Sequence, residues 1–197
     1  MEGRGPRAEQ SEATRAALVA AGRSLFAERG YAGVGTEEIV RRAEVTRGAL
    51  YHHFEDKKDL FRAVHEELEA ELAETIAAQL AAGGEGALDL LQSGARTFLD
   101  ACTDPALARI ALVDAPSVLG WQEWREIDER HGLGLVTAGL EGAMEAGEIP
   151  RRPVKPLAHL LLGALGEAGM LIANAEDPAA ARVEVEPAVM ALLDGLR

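Results

Sequence analysis

The chain has 197 residues, a net charge of −13 at neutral pH, 4% aromatic residues and a single cysteine. That length can bury a sizeable core in one domain, or in a small domain joined to a larger one. The scarcity of aromatics, the abundance of Ala and Leu and the lack of a convincing alternating apolar run favour an all-α fold over a sheet, and a lone Cys102 excludes an internal disulfide.

The opening residues, MEGRGPRAEQSEAT, lack the apolar stretch of a secretory signal. Residues 1–10 carry Arg4 and Arg7 among two glycines and a proline and read as a flexible arm. A first helix is expected from about Ser11, with Ala17, Leu18, Ala21, Leu25 and Phe26 on one face and Gly30 in the stop position. Thr36 is placed to cap a second helix of about two turns, Glu37 and Glu38 favour the positive end of its dipole, and Ile39, Val40 and Ala43 point inward. Glu44 and Val45 make a turn. Thr46 then caps a third helix, whose inward face is Ala49, Leu50 and Phe54, leaving Arg47, Gly48, Tyr51 and His52 outward.

Two short helices joined by a tight turn, the second amphipathic with donors outside, make a helix-turn-helix sized for the DNA major groove. Arg47 can donate two bonds to a guanine edge, and Gly48 lets the helix approach bases closely. Thr46, Tyr51, His52 and His53 can reach phosphate oxygens, and Lys57 adds a cation at the next helix start. His52 and His53 point about 100° apart on a helix and make poor metal co-ligands. Charge is distributed to suit this reading. Residues 1–62 hold eleven Lys or Arg against ten Asp or Glu, net +1, whereas the remainder holds nine against twenty-three, net −14. A near-neutral head on an acidic body lets only the head approach phosphate.

A fourth helix runs from Lys57 to about Ala82 and stops at GGEG; a fifth continues through Cys102. Asp104 and Pro105 start a sixth, which Pro116 and Gly120 are expected to end. A long helix follows from Trp121 to Ala146, weakened by Gly132, Gly134, Gly139 and Gly142. After the breaker-rich GEIPRRPVKP comes LAHLLLGALGEAGMLIANA, apolar nearly all round, where Gly163, Gly166 and Gly169 suggest close helix contact. The final helix is expected after Glu186 and Pro187, with Val189, Leu192, Leu193 and Leu196 on a stripe. The chain's longest unbroken apolar run, LLLGALG, is far shorter than the ~20 residues of a membrane span, so a soluble, cytoplasmic chain is expected.

The run TEEIVRRAEVTRGALYHHFEDKKDLFRAV, with TRAALVAAGRSLFAERGYAG before it, resembles the signature of the tetracycline-repressor (TetR) family of bacterial transcriptional regulators over roughly residues 11–64. The resemblance implies a recognition helix at residues 46–54, phosphate contacts from Thr36, Tyr51, His53 and Lys57, and base reading by Arg47 and Gly48. Two positions depart from the family pattern, Val40 in place of alanine and Glu44 in place of glycine. It further implies a DNA-binding domain at 11–56 and a ligand-binding and dimerisation domain at 57–197. Such proteins pair through two C-terminal helices and release operator DNA when a small molecule enters the body.

For that ligand, Trp121 and Trp124 share a helix face and could wall an apolar cavity, Arg125 could meet a carboxylate, and Glu167 is a charge within an apolar helix. Their plain alternatives are core anchors and an Arg125–Glu129 pair. Enzymatic motifs fail. HEELE at 65–69 has Glu69 where a zinc-protease helix has its second histidine and reads as a solvated face; GLGLVT follows no strand; Cys102 reads as a small buried apolar residue. The expectation is a homodimeric DNA-binding repressor without metal, cofactor or catalytic site. A small-molecule carrier and a helical scaffold are the alternatives.

Overall fold

A computed structural model of the chain describes residues 6–83 and 86–197, with side chains from Ala8 onward. Every regular element among the described residues is helical. Helix α1 (Pro6–Arg29) starts earlier than the Ser11 expected, because Pro6 occupies a first-turn position, where a missing N–H costs nothing. Residues 6–10 are thus helical, while residues 1–5 of the expected arm, Arg4 included, lie outside the described residues. Gly30, at φ +71°, ends α1 by giving its N–H to the Phe26 carbonyl at 2.8 Å.

Helix α2 (Thr36–Arg42) is capped by Gly35, not by Thr36; Gly35 is extended and supplies no side-chain cap, and Thr36 is the first helical residue. The turn after α2 closes with two bonds, Val45 N–H to Val40 O at 3.0 Å and Glu44 N–H to Arg41 O at 3.3 Å. This is the Schellman arrangement, and it requires a left-handed residue between the helices. Glu44 fills that place at φ +56°. Helix α3 (Arg47–His53) is capped as expected, the Thr46 hydroxyl accepting from the Ala49 N–H at 3.2 Å.

Helix α4 (Lys57–Ala81) is capped by Asp56, which accepts from Asp59 N–H at 2.8 Å. Its 25 residues extend ~37 Å. Leu60, Phe61, Val64 and Leu68 belong to the head's apolar core and Leu72 to the body's, so one continuous helix serves both. The head core also reaches past residue 56 by another route, taking in Ile110, Ala115, Leu119, Trp124 and Ile127.

Helices α5 (Ala87–Ala101), α8 (Trp121–Glu145), α9 (Val154–Ala173) and α10 (Pro178–Asp194) pack with the far part of α4 to form the body. Between α5 and α8 lies a continuous helical segment: α6 (Pro105–Leu107), a π-helical stretch (Ala108–Asp114) and α7 (Ala115–Leu119). Asp104 caps α6 as expected. Pro116, however, sits in the first turn of α7 and does not end the segment; Gly120, at φ +90°, does. In the π turn the Ala115 N–H bonds Ile110 O, and Pro116 has no N–H, so the Ala111 carbonyl is left to accept the Trp124 indole N–H at 3.0 Å.

The last helix also differs from expectation. Asp177 caps α10 through the Ala180 N–H at 3.0 Å, with Pro178 in its first turn, and Pro187 lies exposed inside the helix. Helix α9 as a whole is long and apolar enough to cross a membrane by length and composition. It packs against α5, α8 and α10, which is the setting of a body helix.

Candidate nucleic-acid interface and ligand cavity

The head places Thr36, Arg47 and Tyr51 together across α2 and α3. Arg47 is 63% exposed, its guanidinium lies over the Tyr51 ring at 5.5 Å, and it stands 3.8 Å from an equally free Glu37. An ion pair so exposed is worth little and gives way easily to a better partner. The Tyr51 hydroxyl takes hydrogen bonds from Arg47 and Thr36, which hold its pKa below the usual phenol value. Gly48 is exposed and open, a side-chain carbon there meeting only the Thr46 hydroxyl at 3.8 Å. His52 is exposed and stacks edge-on with His53 at 5.2 Å. His53 is half-buried, its pKa lowered by burial first and then by His52 and Arg15.

Lys57 differs from a free phosphate ligand. Its ammonium donates to Tyr31 O and Val34 O, both at 3.0 Å, and lies 3.9 Å from the Tyr31 ring centre, where burial lowers its pKa. Two of its three N–H donors therefore tie the loop before α2 to α4, leaving one for an anion. Arg15, which sequence reasoning passed over, reaches from α1 across the Phe54 ring at 5.4 Å and joins the cations of this face. Its signal was an outward position on α1, shared with many residues that do nothing.

The body encloses a cavity of about 330 Å³ between α4, α5, α8 and α9. Leu72, Ile76, Leu91, Phe98, Val136 and Leu162 give it apolar walls. Gly94, Gly132, Gly139 and Gly166 line it as well. At Gly166 an added carbon would meet nothing within 4 Å. At Gly132 and Gly139 it would strike Leu162 and Leu91, each at 2.9 Å. At Gly169 an added carbon would press on Cys102 Sγ at 3.0 Å and Phe98 at 3.1 Å. Gly166 and Gly169 of α9 thus serve the protomer's own interior.

None of the four residues expected to bind ligand lines this cavity. Trp124 is a core anchor, 3% exposed, with its N–H satisfied by Ala111. Trp121 is 63% exposed and borders a separate open groove with Arg62, Glu123 and Arg130. Arg125 is held by Asp128 and Glu129, each at 3.1 Å, and Glu167 faces outward on α9. A shared helix face says which residues neighbour one another, not which neighbouring helix covers them, so it could not place these four relative to the cavity.

The cavity's polar groups come instead from the HEELE motif and α8. Glu69, Asp128 and His131 line it. The motif is not the solvated face expected of it: His65 is fully buried with both ring nitrogens unpartnered, and its Nδ1 lies 3.9 Å from Glu69 Oε1. Burial first, and His131 second, lowers the His65 pKa to about 4. Burial, then Asp128, raises that of Glu69 to about 8, and burial raises that of Asp128 to about 6 against the pull of Arg125. Among the described residues no cluster of three or more side chains could hold a metal ion. Cys102 is buried, its thiol pushed up to about 12 by burial and Glu69.

An unpartnered apolar face remains outside. Leu160 and Leu171 on α9 are 71% and 56% exposed, and Val183 and Leu192 on α10 are 67% and 55% exposed.

Residues 18–64 match the family described as bacterial regulatory proteins, tetR family, and residues 88–196 match the tetracyclin repressor-like C-terminal domain. The crystal structure of a TetR-family transcriptional regulator from Pectobacterium atrosepticum superposes with a TM-score of 0.84 at 34% identity, covering 98% of this chain and 97% of that one. The transposon Tn10 TetC protein of Escherichia coli is 29% identical over 165 residues, 83% of this chain and 82% of its own. The HTH-type transcriptional repressor BepR of Brucella suis is 47% identical over 58 residues, only 27% of its length.

Proposed function

The chain belongs to the tetracycline-repressor family of DNA-binding regulators, and on that premise we propose that it acts as a homodimeric repressor which a small molecule releases from its operator. In this reading residues 11–56 read DNA and residues 57–197 sense ligand and pair. The observation that carries it is the outward cluster of Arg47, Gly48 and Tyr51 on a capped α3, free of contacts that would bar it from a groove. Arg47 reads a guanine edge; Tyr51, Thr36 and His53 meet phosphates.

Pairing covers the apolar stripes of α9 and α10, which leave four large aliphatic side chains more than half exposed in the single chain. Two heads on one duplex must sit about one helical turn apart, ~34 to 36 Å. A ligand in the cavity bears on that spacing through α4, whose start lies in the head core and whose later turns wall the cavity. By linkage, whatever factor the ligand takes from operator affinity, the operator takes from ligand affinity. The site of action is the cytoplasm, where the operator is.

A carrier protein would use the cavity without needing Arg47, and a scaffold would use neither. A gel shift with the DNA flanking the chain's own gene distinguishes them. Retarded complexes that survive excess unrelated duplex support the repressor; binding no tighter than to unrelated duplex supports a carrier or a scaffold.

A further inference from the structure

The cavity is not uniformly apolar. On both α4 and α8 the polar lining residues come first in the chain, Glu69 before Leu72 and Ile76, and Asp128 and His131 before Leu135 and Val136. Both helices start beside the head, where Arg62 of α4 bonds Glu123 of α8. The polar end is therefore the end nearest the DNA-binding domain, and the far end is hydrocarbon.

Positive charge at that end is already committed. Arg125 serves Asp128 and Glu129, and Glu129 also meets His159 Nδ1 at 3.2 Å. Glu69 has no Lys or Arg partner among the described residues; the nearest basic side chain to it is His65, at 3.9 Å. About 15% of the Glu69 side chain is accessible, and that surface opens on the cavity it lines. Behind it stands His65, fully buried and lacking any hydrogen bond, and His131 Nε2 is likewise buried and unpartnered. Buried polar groups in native proteins are nearly always satisfied, so the orphaned His131 Nε2, lining the same cavity as an uncompensated carboxyl, marks the place of a missing partner.

We propose that the cavity takes an apolar molecule bearing one basic nitrogen, whose ammonium donates to the Glu69 carboxylate, with Asp128 and His131 Nε2 as its other acceptors. This rests on reading the cavity as the regulator's ligand site. An ammonium supplies both what Glu69 lacks, a cation, and what His131 Nε2 lacks in its acceptor tautomer, an N–H donor. A ligand carboxylate would instead add negative charge beside Glu69, Asp128 and Glu129, with Arg125 alone to offset it. The groups around Glu69 are His65 from its own helix, Asp128 and His131 from α8, with Arg125 paired to Asp128, and the neutral Cys102 thiol after α5, with His159 of α9 behind Glu129. Burial keeps Glu69 protonated in the empty cavity at neutral pH. An arriving ammonium keeps its own proton and restores the carboxylate, so the Glu69 proton leaves to solvent.

The test uses full-length protein and calorimetry with n-octylamine, n-octanol and n-octanoate, which share a chain and differ in the head. Octylamine should bind at least tenfold tighter than octanol and octanoate weakest, with close to one proton released per octylamine at pH 7, read from buffers of different ionisation enthalpy. Glu69→Gln should retain octanol binding, which doubles as the check on its fold, and lose both the amine preference and the proton release. Gly166→Leu, which fills the cavity, should remove all three ligands. Equal binding of amine and alcohol in the unaltered protein, with both lost in Gly166→Leu, would overturn the amine inference and leave the cavity as the ligand site. An amine preference untouched by Glu69→Gln overturns the assignment to Glu69. Failure of all three ligands to bind overturns the inference together with the cavity reading.

Discussion

The Asp114 carboxylate accepts a 2.7 Å hydrogen bond from the Tyr31 backbone N–H, joining the π-helical stretch of the body to the loop between α1 and α2 of the head. That loop is the one Lys57 also grips, through Tyr31 O and Val34 O. Asp114→Ala should therefore cost ~1 to 3 kcal/mol, the usual loss when a partly buried donor is left without its acceptor. Asp114→Asn, which keeps an acceptor oxygen, should lose less than half as much. Urea midpoints of the three proteins measure both.

The turn of the helix-turn-helix holds a second test. Glu44 is the one non-glycine residue at positive φ among the described residues, at +56°. A left-handed conformation costs ~1 to 2 kcal/mol for a residue with a Cβ, while glycine gives back part of the gain through the freedom of its unfolded chain. Glu44→Gly should then raise stability by ~0.5 to 1 kcal/mol in thermal unfolding, and Glu44→Val should lower it. A glycine variant less stable than the original would mean that the Glu44 side chain earns more than its strain.

Most of the head was legible because its determinants are local. The Thr46 cap, the Gly30 stop and the inward set Leu18, Leu25, Phe26, Ile39, Leu50 and Phe54 are each fixed by spacing within a few turns, and all six apolar residues are buried. The body's helices were also legible, apart from Pro116 and Pro187, each read as a break although it lies within a helix. The cavity was not legible. It is lined by residues of four helices, glycines from three of them and Glu69 of α4 included, and nothing along one helix reveals what the others bring. The tryptophans drew attention by rarity, yet Trp124 is spoken for by a carbonyl that only a π turn leaves open.

The glycines of α9 can be separated by substitution. Gly166→Leu projects into empty space and should change stability by less than ~1 kcal/mol while blocking the cavity. Gly169→Leu meets Cys102 and Phe98 at once and should cost ~1 to 3 kcal/mol or more, as overpacking does. Sedimentation should find the Gly166→Leu protein still dimeric, since that position faces the protomer's interior; a monomer would return it to the pairing surface.

Stability should carry a pH dependence traceable to Glu69. Between pH 6.5 and 8 the unfolded chain has already released this proton, whereas the folded chain, with a pKa of about 8, still holds it. The folded state then binds more protons, so stability falls as pH rises, by up to ~2 kcal/mol across that window. His65, at about 4, and Asp128, at about 6, titrate below it in the folded state. Glu69→Gln should remove the decline, as read from urea midpoints at pH 6.5 and 8.

The central claim is that α3 reads DNA sequence, and fluorescence anisotropy of labelled operator with the original protein and Arg47→Ala tests it most directly. The account predicts that Arg47→Ala loses ~1 to 3 kcal/mol on the operator and discriminates less at one base pair in each half-site, with little change on unrelated duplex. Unchanged affinity and unchanged selectivity on the true operator would contradict it.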